Sequence, residues 1–99
     1  MSPEQPVAVI ARIRAKRDQI NPTRAALETL IGPTRAEPGC VEYTLHESAD
    51  EPGLFAFFER WKSKQALDEH LQTPHVARLR ARADELFAEP VEITLWRAL

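Results

Sequence analysis

LFAFFERW, residues 54–61, places Phe55, Phe57, Glu59 and Trp61 on one face of an extended chain and Leu54, Ala56 and Phe58 on the other. A strand apolar on both faces belongs in the middle of a sheet. VAVIARIR, residues 7–14, reads the same way, with Val7, Val9, Ala11 and Ile13 opposed to Ala8 and Ile10. Two further stretches carry one polar face and read as outer strands. In CVEYTLHE, residues 40–47, Val41, Tyr43 and Leu45 alternate with Glu42, Thr44 and His46. In VEITLW, residues 91–96, Val91, Ile93 and Leu95 point in and Glu92 and Thr94 out, with Trp96 breaking the polar side.

Helical spacing fills the gaps between these strands. Asn21 is a candidate N-cap with Pro22 at the first helical position, after which Ala25, Ala26, Leu27, Leu30 and Ile31 recur as an apolar stripe. That helix is expected to kink or fray near Gly32-Pro33 and to be closed off by Pro38-Gly39. Ser63 caps a short helix carrying Ala66, Leu67 and Leu71. Thr73-Pro74 starts the next, whose buried stripe is Val76, Leu79, Ala83, Leu86 and Phe87, so the pair should meet at a bend near residues 72–74. The order is strand, helix, strand, strand, helix pair, strand. This is the α+β, ferredoxin-like split βαβ sandwich, a four-stranded antiparallel sheet with its first and third strands central. Helices cover one side of such a sheet. The apolar side chains left on the other side predict a homodimer through the sheet face.

Composition bounds the function classes. Ninety-nine residues allow one domain, 1–99, and 43% hydrophobic with 28% charged residues is the make-up of a folded globular chain. Thirteen Lys and Arg against 15 Asp and Glu leave a formal charge of −2, so no global field attracts nucleic acid or an anionic membrane. The densest basic run, Arg12, Arg14, Lys16 and Arg17, is diluted by Asp18 and reads as a solvated strand end. A lone Cys40 excludes an intrachain disulfide framework and a cysteine metal cluster, and fits a small buried hydrophobe in a reduced, cytoplasmic protein. The longest apolar stretch near the N-terminus, residues 7–11, is too short for a signal-peptide core or a membrane span.

The most specific stretch is FFERWKSKQALDEHLQTPHVARL, residues 57–79. It resembles the antibiotic biosynthesis monooxygenase family, and within it the small bacterial quinol monooxygenase-like proteins. Members carry a strand ending in Glu-x-Trp, a Ser-initiated helix with Ala-Leu, a His, and then Thr-Pro-His. Glu59, Trp61, Ser63, Ala66-Leu67, His70 and Thr73-Pro74-His75 stand at those places, and TRAEPGCVEY, residues 34–43, is similar to the family's approach to its second strand. The resemblance implies a dimeric α+β barrel and monooxygenation of a quinol or polyphenol by dioxygen, with no flavin, haem or metal cofactor. Such chemistry needs a dry cavity, a base for the phenolic proton and a stabiliser of developing negative charge.

On that resemblance His70, His75 and Glu59 are the candidates for proton transfer. Trp61, Phe55 and Phe57 are the candidate aromatic wall, and Arg12 or Arg80 the counter-cation. Each also has a purely structural reading. His70 and His75 are five residues apart, about 140° on one continuous helix, so only the Thr73-Pro74 bend can turn them toward a common space. His75 can complete a helix start, His70 can satisfy a buried carbonyl, Glu59 can pair with Lys62, and Trp61 can be core. Tyr43 and His46 carry a weaker signal. Haem-degrading members of the fold carry their Trp at the place of His70, their His at that of Arg80 and an Asn near that of Arg12, and the resemblance therefore argues against haem ligation in this chain. The polyketide-tailoring branch uses an Asn where Phe57 or Phe58 stands. An isomerase branch acting on a phosphorylated substrate shares the His and Thr-Pro-His pattern. An isomerase, and a non-catalytic dimer that binds a small ligand, therefore stand as alternatives, separable by whether the pocket is lined by cations or by aromatics.

Overall fold

The computed structural model describes residues 5–99; residues 1–4 of the expected 1–99 domain lie outside them. The elements follow in the order β1 (Val7–Arg14), α1 (Ile20–Glu28), α2 (Ile31–Arg35), β2 (Cys40–Glu47), β3 (Leu54–Trp61), α3 (Lys64–His70), α4 (Pro74–Ala81), α5 (Ala83–Leu86) and β4 (Glu92–Trp96). The strands form one antiparallel sheet in the order β2-β3-β1-β4. The two strands that are apolar on both faces are indeed central, and the fold is the ferredoxin-like α+β sandwich.

Register assigns each side chain to a layer. Ala11 faces Phe57, which in turn faces Leu45, and these positions lie under the helices. Val7, Val9, Ala11, Ile13, Tyr43, Phe55, Phe57 and Trp61 make the sheet half of the core; Leu27, Leu30, Leu67 and Leu86 are among those that close it from the helix side. The alternate positions, Ala8, Ile10, Leu54, Ala56 and Phe58, form the opposite face, with Phe58 45% exposed.

Several local expectations need correction. The first helix begins at Ile20 after Gln19, not after Asn21. A turn from Lys16 to Gln19 already starts the coil, and the Asn21 side chain accepts from the Arg24 guanidinium (2.6 Å) instead of capping a backbone N–H. Gly32 and Pro33 sit in the first turn of a separate helix, α2, where a proline lacking its N–H is tolerated. The alternation of β2 is broken by a bulge at Val41, which leaves that residue exposed while Tyr43 stays buried. The expected second helix is two, α4 and α5, and α4 has no fully buried residue because Val76 and Leu79 look onto a cleft. Ile93 and Leu95 do lie on the helix side, opposite Ala11 and Val9, yet each is 42% exposed, since the helix layer stops short of the β4 edge. The two caps fall where expected: Ser63 accepts from the Ala66 N–H and Thr73 from the Val76 N–H, with Pro74 opening α4.

Candidate active site

A cleft of about 620 Å3 opens between the helix side of the sheet and the segment from α3 to β4. Its walls are mainly apolar: Val9, Ala11 and Ile13 of β1, Tyr43, Phe57, Leu67, Leu71, Val76, Leu79 and Phe87. Two ionisable side chains at its floor are buried, Glu59 of β3 and His70 at the end of α3. Lys16, Arg80, Asp84 and Glu89 line it as well and are exposed.

Strand alternation explains the floor. Glu59 and Trp61 are two apart on β3, so both point under the helices, and the Trp61 indole N–H donates to Glu59 Oε1 at 2.8 Å. No cation pairs with Glu59 among the described residues, against the expectation of an ion pair with Lys62, because its neighbours on the inward face, Phe57, Trp61 and Tyr43, include no lysine or arginine. Burial dominates its ionisation. It raises the carboxyl to about 7, opposed by the indole hydrogen bond and assisted by the negative field of Glu37.

His70 is packed against the same tryptophan, with ring centroids 4.6 Å apart, and edge-on to Tyr43 at 5.6 Å. Its Nδ1 lies 2.8 Å from Glu37 Oε2, and His75 Nε2 reaches the same oxygen, also at 2.8 Å. The break after α3, where the Thr73 hydroxyl donates to the His70 carbonyl (2.8 Å) before Pro74 restarts the helix, turns two histidines five residues apart onto one carboxylate. A carboxylate only accepts, so each imidazole carries its proton on the nitrogen that faces Glu37. His70 Nε2 is thereby left as a lone pair. Burial is the largest influence on His70 and lowers its pKa despite the stabilising Glu37, which favours the neutral, accepting imidazole. Burial likewise pushes the Tyr43 hydroxyl far above its ordinary range, leaving it a neutral phenol in the cleft wall.

The remaining expected site residues divide. Phe57 lines the cleft, and Arg80 lines it while donating to the Leu71 carbonyl (3.0 Å). His75 and Trp61 do not form its wall: His75 stands behind Glu37, and Trp61 is fully buried behind Glu59 and His70. Phe55 lies in the core beneath the Arg24 guanidinium, 5.6 Å from its ring centre. Arg12 is on the opposite face of the sheet, 3.6 Å from Glu92 and half exposed, because its position on β1 has the parity of Ala8 and Ile10. Neither Phe55 nor Arg12 can touch a molecule in this cleft.

Sequence reasoning passes over Glu37. Its only local mark is an acid directly before the Pro38-Gly39 turn; the two histidines it meets lie 33 and 38 residues further along the chain. Lys16 is also missed; it donates to the Asp84 carbonyl and holds the β1 exit against α5.

Comparison with known proteins gives concordant results. The family model for antibiotic biosynthesis monooxygenase matches residues 6–82. Rv0793 of Mycobacterium tuberculosis, whose name proposes a monooxygenase, is 49% identical over 90 residues, 91% of this chain and 88% of that protein. Its solved structure superposes with a TM-score of 0.90 over 96% of each chain. The structure of PA3566 from Pseudomonas aeruginosa is 30% identical, with a TM-score of 0.92, covering 100% of this chain and 99% of that one.

Proposed function

The chain belongs to the antibiotic biosynthesis monooxygenase family, and from that premise we propose that it is a cofactor-independent monooxygenase of a quinol or polyphenol, using dioxygen. The observation that carries the reading is the pairing of Glu59 and His70 at the floor of an apolar cleft, both held by burial toward their neutral forms.

A phenol seated against Tyr43, Phe57 and Phe87 loses its proton to His70 Nε2 or to ionised Glu59. A carboxyl near 7 is matched to that task at neutral pH. The phenolate, poorly solvated there, is a strong electron donor to dioxygen. In the net reaction one oxygen atom enters the ring and the other leaves as water, and the quinol supplies every electron as it becomes a hydroxylated quinone. Trp61 fixes both proton-transfer groups, one through its N–H and one through its ring.

The cations at this cleft favour a neutral aromatic over a phosphorylated substrate. Lys16 and Arg80 are both committed to backbone carbonyls, and the acids Asp84 and Glu89 stand among them. An isomerase of an anionic metabolite would need them converged and free. We propose further that two chains associate through the open sheet face, as the apolar row Ala8, Ile10, Ala56 and Phe58 supports.

Oxygen uptake over a panel of quinols tests the reading. Wild type should consume oxygen, His70→Ala should lose about 10²–10⁴-fold of that rate, and His75→Ala should lose less, having no contact with the cleft. Absence of uptake on every phenol tried overturns it.

A further inference from the structure

We propose that Glu37, His70 and His75 form a binding site for a divalent transition metal of the zinc class, set behind the cleft, and that its occupation switches His70 from proton acceptor to proton donor. The second half rests on the role given to His70 above; the first does not.

Three elements bring these groups together: the turn between α2 and β2, the end of α3 and the first turn of α4. One ligand atom from each lies within 4.8 Å of the others. Two imidazoles and one carboxylate are a familiar zinc donor set that leaves a fourth position for water. The two nitrogens stand 2.8 Å from Glu37 Oε2. Tetrahedral coordination with metal–ligand bonds of about 2.0–2.1 Å asks for roughly 3.3 Å between ligand atoms. Side-chain rotation spreads the nitrogens from the oxygen by that difference, and closing the two nitrogens on each other completes the site.

Charge supplies an independent reason. The side chains of Glu37, His70 and His75 are 14%, 5% and 12% exposed, and no lysine or arginine among the described residues pairs with Glu37. Two imidazoles offer this carboxylate hydrogen bonds, but no fixed cation stands beside it, and burying an anion favours one. A divalent ion bound through those two nitrogens supplies one, each ring keeping its proton on its other nitrogen.

The consequence for His70 follows from its ring. Hydrogen-bonded to Glu37, it holds its proton on Nδ1 and offers Nε2 as a base. Coordinated through Nδ1, the neutral ring must carry its proton on Nε2. The ion therefore silences the base without entering the cleft, since neither Glu37 nor His75 is part of the cleft wall.

Zinc titrated into chelator-treated full-length protein, followed by calorimetry and by histidine side-chain NMR, tests the site. The expected result is one zinc per chain, with the His70 and His75 resonances moving together. His46, stacked on Phe58 across the sheet, stays in place as an internal control. Glu37→Gln and His75→Ala should each weaken binding more than about tenfold. The wild-type NMR decides the matter even if a variant fails to fold. No stoichiometric binding, or shifts confined to His46, overturns the site. Oxygen uptake on a quinol then tests the switch: zinc should abolish it and chelator restore it, and uptake unaffected at full occupancy overturns the switch while leaving the site. Binding without uptake from the metal-free protein counts against the monooxygenase reading alone.

Discussion

Glu59 is a carboxyl whose ionisation the fold resists, and this makes it visible to pH. Its folded pKa, about 7, lies above the ordinary 4.5. The protonated form is thus the one the fold prefers, and its stabilising contribution is complete below about 4.5 and lost as pH rises through 7. The full swing is on the order of 3 kcal/mol. His70 acts oppositely, since its folded pKa is lowered and its contribution is lost on acidification below its ordinary 6.5. Urea unfolding of wild type and Glu59→Gln between pH 5 and 8 isolates the carboxyl: the variant should gain relative stability as pH rises, and parallel curves would refute the assignment. At Thr34 the expectation has the other sign. Its hydroxyl is fully buried and makes no hydrogen bond; Tyr43 is near enough to feel it but not in bonding geometry. Thr34→Val should therefore leave stability unchanged or raise it by up to about 1 kcal/mol, read from the urea midpoint.

At the scale of elements, the turn into β2 decides where Glu37 stands. The Gly39 carbonyl accepts from the Lys62 N–H at 2.9 Å, and a Cβ on Gly39 would run into Ala66 Cβ of α3. Gly39→Ala should cost about 1–3 kcal/mol by overpacking. Adding Ala66→Gly makes room, so the double variant should lose less than the two single losses added together; strict additivity in thermal midpoints would show that the contact does not matter. The same turn marks how far the chain could be read. The two doubly apolar strands, and the caps at Ser63 and Thr73, were legible because periodicity and capping are local. The Val41 bulge was not, because it is set by how β2 meets β3 at Cys40, opposite Trp61. Glu37 escaped for the same reason: nothing within a few residues of it shows that two histidines more than 30 positions later will converge on its carboxylate. Arg12 and Phe55 were placed at the site by chemistry alone, although strand parity already put Arg12 on the Ala8 and Ile10 face.

For the molecule as a whole, the open question of the sequence was what covers the second side of the sheet. On that side Phe58 of β3 is 45% and Trp96 of β4 55% exposed, with Ile10 of β1 between the two strands and Ala56 beside Phe58 on β3. The ion pairs Arg12–Glu92 and Arg60–Glu42 each reach from a central strand to an outer one and flank this apolar centre. An apolar middle with a charged rim is the anatomy of an interface, and a self-complementary patch of this kind suits a two-fold dimer. A charge at the middle separates association from folding. Phe58 is 45% exposed in the single chain, so Phe58→Asp should cost one chain about 1–3 kcal/mol, whereas pairing would in addition bury two carboxylates against apolar surface. Light scattering at micromolar concentration should give twice the chain mass for wild type and the chain mass for the variant. A monomeric wild type, or a variant that still pairs, rules this interface out. Because Phe58 faces away from the cleft that Glu59 and His70 line, the monomeric variant should retain its oxygen uptake per chain; loss of uptake in a well-folded monomer would mean that the open β4 side of the cleft, where Val91 and Ile93 are exposed, is completed by the second copy.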